Sequence, residues 1–165
     1  MKKILLIALT LLVCFSLFAC DSIIEPIDFI QNGLQITLDT SFNQIANTGY
    51  TACFRSSVVT VYCLREAFTD DLKEDVTLAE YAEKVLVANG LQREVGVAGD
   101  HLTFIYETEA ENLHIVRYVC LYKMSDCFWT VQFVCQADYY ESLEESFIEW
   151  ANTVKDVKVN AETKE

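Results

Sequence analysis

Cysteine and histidine are the residues of this chain with the most chemistry to offer: seven Cys and two His in 165 residues. A thiolate beside an imidazole makes a nucleophile, and three or four such ligands together hold zinc. Their spacing supports neither use. No serine stands in a Gly-x-Ser-x-Gly elbow and no Cys-x-x-Cys pair occurs. His114 and Cys120 fall on one strand face, but six strand residues at about 3.3 Å each hold them roughly 20 Å apart. His101 opposite Cys120 would be closer, yet two ligands do not make a metal site. The carboxylates read as solvated faces. Asp70, Asp71, Glu74 and Asp75 precede a helix, where negative charge suits the N-terminal dipole, and Glu141, Glu144, Glu145 and Glu149 lie on the outer side of another. No catalytic residue, metal or cofactor is expected; the competing class is an enzyme with a pocket near His101, His114 and Tyr118.

Position separates the cysteines. Lys2 and Lys3 are followed by an almost wholly apolar run from Ile4 to Phe18, then Ala19 and Cys20, the order of a secretory signal and too short for a membrane span. The stretch Leu17, Phe18, Ala19, Cys20 resembles the lipobox of bacterial lipoproteins. That resemblance implies a diacylglycerol on the Cys20 thiol, cleavage before it, and a protein lipid-anchored on the extracytoplasmic side of the cell membrane. The expected organisation is a signal peptide over 1–19, a lipidated tether over 20–32, one domain over 33–154 and a charged tail over 155–165.

Without residues 1–19 the chain keeps 146 residues, enough for one domain with a sizeable core. Losing Lys2 and Lys3 from 12 basic against 25 acidic residues leaves a mature formal charge of −15. A field of that sign repels nucleic acid and anionic lipid, so membrane contact falls to the lipid on Cys20. The remaining partners are an envelope protein or a small molecule. Cys53, Cys63, Cys120, Cys127 and Cys135 stay in the mature chain, where at most two disulfides could form. Cys63 with Cys135 is the preferred pair if one exists; the other reading is five reduced thiols buried as small apolar residues.

The elements that would position these groups follow from periodicity. LQITLD alternates as a strand from Leu34, and TACFRSSVVTVYCLRE reads as one strand or two broken at Arg55 to Ser57. TLAEYAEKVLVANG changes to helical period, with Leu78, Ala82, Val85 and Leu86 on one face, Thr77 and Glu80 at capping-box spacing, and Gly90 as the stop. Three strands follow, HLTFIYE, NLHIVRYVCLYK and CFWTVQFVC. An amphipathic helix from an Asp138 cap closes the order, with Tyr139, Leu143, Phe147, Trp150 and Val154 on one stripe.

The segments GLQITLD, VYCLREAF, TLAEYAEKVL and YYESLEESFIEW resemble the PsbP-like group, which includes DcrB-like lipoproteins and Mog-type Ran-binding proteins. The resemblance implies an α+β fold: an antiparallel sheet with helices packed on it as an α/β/α sandwich, serving in binding or in assisting larger complexes.

Pairing Glu109 with Asn112 and Lys123 with Cys127 gives the expected register, and side-chain alternation then divides the strands into two faces. One, with Phe104, Val119, Leu121, Trp129, Val131 and Phe133, is the expected core. The other carries His101, Thr103, His114, Tyr118, Thr130 and Gln132 and is the expected half-solvated face, open to a ligand or partner.

Overall fold

In the computed structural model the described residues are 24–157; the expected signal peptide over 1–19, Cys14, Cys20 and the end of the expected charged tail lie outside them. Among the described residues, ten strands and two helices run in the order β1 (Pro26–Gln31), β2 (Leu34–Asp39), β3 (Asn43–Gln44), β4 (Ala52–Arg55), β5 (Val59–Ala67), α1 (Leu78–Ala88), β6 (Gly96–Ala98), β7 (His101–Ala110), β8 (Leu113–Lys123), β9 (Cys127–Gln136), α2 (Ala137–Ala151) and β10 (Lys155–Asp156). They form a seven-stranded antiparallel sheet, β3-β4-β5-β9-β8-β7-β6, and a three-stranded one, β1-β2-β10. The fold is α+β, as the strand and helix order leads one to expect.

Both faces of the large sheet are covered. On one, α2 and the small sheet enclose Ile36, Phe54, Val61, Tyr118, Trp129, Phe133 and Phe147. On the other, α1 and the loop before it cover Phe104, Val119, Leu121 and Phe128, with Tyr81, Ala82 and Leu86 as the helix's contribution. The central strand β9 is therefore buried from Cys127 through Val131 without alternation, the pattern of a strand packed on two sides.

Helix α1 has the ends its sequence announces. The Thr77 side chain accepts from the Glu80 amide while Glu80 accepts from the Thr77 amide, a complete capping box. At the other end Gly90, at φ 65°, donates to Val87 and Leu91 donates to Leu86, closing a Schellman motif. The closing helix departs from expectation. Its N-cap is Gln136 with no side-chain bond, Asp138 sits in the first turn, and Tyr139 is exposed while Tyr140 packs on the core.

Two expected boundaries are corrected. Residues 26–31, read as tether, form β1, paired with β2 through a two-residue Asn32-Gly33 turn in which both residues have positive φ. That is the type I′ hairpin the Asn-Gly dipeptide favours. Lys155 and Asp156, read as tail, pair with Gln35 and Leu34.

The registers are corrected as well. The β7–β8 turn is Glu111-Asn112, so Ala110 faces Leu113 and the expected pairing is displaced by two residues, which leaves the faces intact. At β8–β9 Lys123 faces Phe128 across a four-residue loop. That one-residue shift against β8 moves every β9 side chain to the opposite face. Trp129 joins Tyr122 and Tyr118, not Leu121, on the α2 side.

Candidate functional site

The β9 shift divides the six residues expected to share an open face. His101, Thr103, His114 and Tyr118 belong to the α2 side, while Thr130 and Gln132 face α1. His101 is 2% exposed and its ring stacks on Tyr122 at 4.8 Å. Tyr118 lies in the core between Phe133 and Phe147, and burial pushes its phenol up to about 12. His114 is exposed at the hairpin end and pairs with Glu107 at 2.7 Å. From His114 to Tyr122, where His101 sits, is eight strand residues, roughly 26 Å. His101, His114 and Tyr118 are thus held apart, two of them buried and one exposed at the hairpin end, and do not come together as a single site.

The thiols give a second correction. Cys63 lies opposite Val131 and Cys135 opposite Val59, four strand positions apart. That is roughly 13 Å, beyond the reach of a disulfide. All five described cysteines are free and buried. Burial raises the thiols of Cys120 and Cys127 to about 12 and that of Cys135 to about 11. Thiols held this strongly protonated are poor nucleophiles and poor ligands. Asp126, Cys127 and Asp156 do bring three potential ligand atoms within 4.8 Å of one another. One of these carboxylates is already engaged: the Cys127 thiol and then Arg65, at 2.6 Å, hold the Asp126 carboxyl below its ordinary range.

The polar groups that converge do so elsewhere, between α1 and the sheet. A cleft of about 620 Å³ opens there, floored by Leu64, Glu66, Thr130 and Gln132 from β5 and β9, and walled by Tyr81, Lys84, Val85 and Ala88 from α1 and by Tyr50, Asp71 and Leu72 from two loops. Its size falls within the range of small-molecule sites. The cleft exists because α1 is only eleven residues long and covers part of the sheet face; beyond its end Tyr62, Tyr106, Arg117 and Gln132 are half-buried.

The floor is built around one hydroxyl. Tyr81 Oη donates to the Glu66 carboxylate and lies 2.9 Å from Thr130 Oγ1, while its ring stacks on Phe128 with centroids 4.2 Å apart. Burial, and then the Glu66 carboxylate, push the phenol well above its usual value. It acts as a fixed donor and not as a base. A polar network at a helix–sheet interface is costly unless every member is satisfied, and here Tyr81 serves both neighbours. Further out, Tyr50 packs against Tyr62 with centroids 4.5 Å apart and the rings tilted by 33°, and Arg117 donates to Gln132 at 3.3 Å.

Of the residues expected on the open face, Thr130 and Gln132 line this cleft, and so does Asp71 from the carboxylates expected as a solvated face; Tyr81, Glu66, Lys84 and Tyr50 belong to neither expectation. A signal was available for Glu66. In VYCLREA the positions Tyr62, Leu64 and Glu66 share a face, and a carboxylate on the row beneath an amphipathic helix calls for a partner. Tyr81 lies three residues after Leu78, within the apolar stripe of α1.

No family model matches the chain, and no curated protein sequence matches it. Among solved structures, a protein from Bacteroides thetaiotaomicron VPI-5482 is similar with a TM-score of 0.59 at 12% identity, over 80% of this chain and 48% of that one. The chain thus spans about half the length of that protein, and the likeness is one of fold. Cyanobacterial PsbP (CyanoP) from Synechocystis sp. PCC 6803 is similar with a TM-score of 0.48 at 10% identity, over 86% of this chain and 99% of that one. LpqN, involved in cell envelope biogenesis of Mycobacterium tuberculosis, is similar with a TM-score of 0.48 at 9% identity, over 82% and 92%.

Proposed function

We propose that the chain is a lipid-anchored, extracytoplasmic binding or accessory module of PsbP-like type, without catalysis of its own, that holds a small-molecule or envelope partner at the cleft between α1 and the sheet. The cleft carries the reading: about 620 Å³ of open space meets a polar floor, whose Glu66 and Thr130 are held by the Tyr81 hydroxyl, and an aromatic wall. The Tyr81 phenol is held between Glu66 and Thr130 as a hydrogen-bond donor to the carboxylate, which suits recognition better than turnover. The anchoring half of the proposal rests on Leu17 to Cys20 and on the basic and apolar segments before them. No helix among the described residues is long and apolar enough to cross a membrane.

Each half has its own experiment. Cells fed labelled palmitate should label the wild-type chain and not Cys20→Ala; equal labelling of both ends the anchoring claim. For the cleft, amide shifts of the isotope-labelled protein against a fragment library should cluster at Tyr50, Leu64, Val85 and Thr130, and Ala88→Trp, which fills the mouth, should suppress them. Shifts that cluster elsewhere and ignore Ala88→Trp would sink it.

A further inference from the structure

The charges around the cleft point to the class of ligand, given that the cleft is a binding site as proposed above. Glu66 and Asp71 line it against one lining cation, Lys84; the next cation, Arg117, is engaged outside the lining by Gln132 and the Tyr106 ring, and the chain as a whole stands at −13. A concave site with apolar walls focuses such a field. Glu66 is half-buried and spends one acceptor position on Tyr81, which leaves most of a carboxylate's four or so free. Tyr50 is held against Tyr62, so one wall carries a fixed aromatic ring of the kind that attracts a cation. Leu64, Leu72, Val85 and Ala88 supply the apolar remainder.

We infer that the cleft binds an organic cation, a protonated amine or guanidinium on an apolar or aromatic body, with the charge between Glu66 and Asp71 and the body against Tyr50 and Leu64. Lys84 opposes this ligand, but it is exposed on the outer turn of α1, and its long stem lets the ammonium turn into water. The sign of its effect follows: removing it strengthens binding.

Three probes of one shape and different charge test the assignment on the full-length chain in detergent: phenethylammonium, neutral 2-phenylethanol and anionic phenylacetate, followed by the amide shifts of Tyr50, Leu64 and Val85. Phenethylammonium should bind about ten-fold tighter than 2-phenylethanol, with phenylacetate weakest, and the gap should shrink as salt is added. Glu66→Gln, which keeps an acceptor for Tyr81, and Asp71→Asn on the loop should each remove most of that preference. Lys84→Ala should raise it. Equal or better binding of either other probe at the same amides overturns the cation assignment and leaves the cleft as a binding site. If no probe moves those amides, the inference falls, and the fragment screen above decides the cleft separately.

Discussion

Tyr81→Phe removes one oxygen from the cleft floor and leaves the ring on Phe128. The oxygen bonds to Glu66 and Thr130. Glu66 is half-buried and recovers part of its loss from water, whereas Thr130 is 4% exposed and does not. A hydrogen bond to a charged group contributes about 1.5–3 kcal/mol and a stranded buried polar group costs about 1–3 kcal/mol. With Glu66 re-solvated, the net loss comes to about 2 kcal/mol. For a domain of this length that is a fall of about 6–8 °C in Tm. Adding Thr130→Val removes the stranded hydroxyl, and because deleting both partners of a bond is nearly neutral, the double variant should melt no lower than Tyr81→Phe alone. Thermal melts followed by circular dichroism read all three proteins. A Tyr81→Phe variant that melts with the wild type, or a double variant whose losses simply add, would refute the network as the stabilising element of the floor.

Gly90→Ala should cost about 1 kcal/mol or more, because φ at Gly90 is 65° and nothing lies within 4 Å of the added methyl, so the penalty is conformational; urea midpoints measure it. Tyr118→Ala and Trp129→Ala should each cost about 3–5 kcal/mol, since both side chains share the α2-side core; a Tyr118→Ala protein as stable as wild type would restore the expected open face. Thiols buried at about 12 (Cys120, Cys127) and about 11 (Cys135) hold protons that an unfolded chain releases near 9.0. Their contribution is complete below pH 9.0 and is lost as pH rises toward 12, so urea midpoints should fall across that window, less steeply in Cys135→Ala.

Signals in the sequence that act within a few residues are legible from it. Thr77, Glu80 and Gly90 fix both ends of α1 through bonds within a few residues, and the break at Arg55 to Ser57 does separate β4 from β5. What failed depends on partners distant in the chain. The β8–β9 loop is longer by one residue than the pairing of Lys123 with Cys127 allows, and that single step carried Trp129 across the sheet. The mixed character of His101, Thr130 and Tyr118 suggested a wet face. In the fold each is buried and engaged, His101 on Tyr122 and Thr130 on Tyr81, so polarity marked satisfied interior groups and not solvent. The β1 strand is legible in the Asn32-Gly33 turn signal, which the expectation of a tether over 20–32 overrides. The cleft joins residues from 49 to 132, and no spacing along the chain reveals it.

Crystals of residues 24–157 soaked with the fragment library test the central claim most directly, because the protein has a competing groove of about 370 Å³ beside Trp150, lined by Pro26, Leu38 and Thr153. Bound fragments should lie in the cleft, against Tyr50 and Leu64 and within hydrogen-bond reach of Glu66 or Gln132. Fragments found only in the groove beside Trp150, with the cleft empty in every soak, would contradict the account.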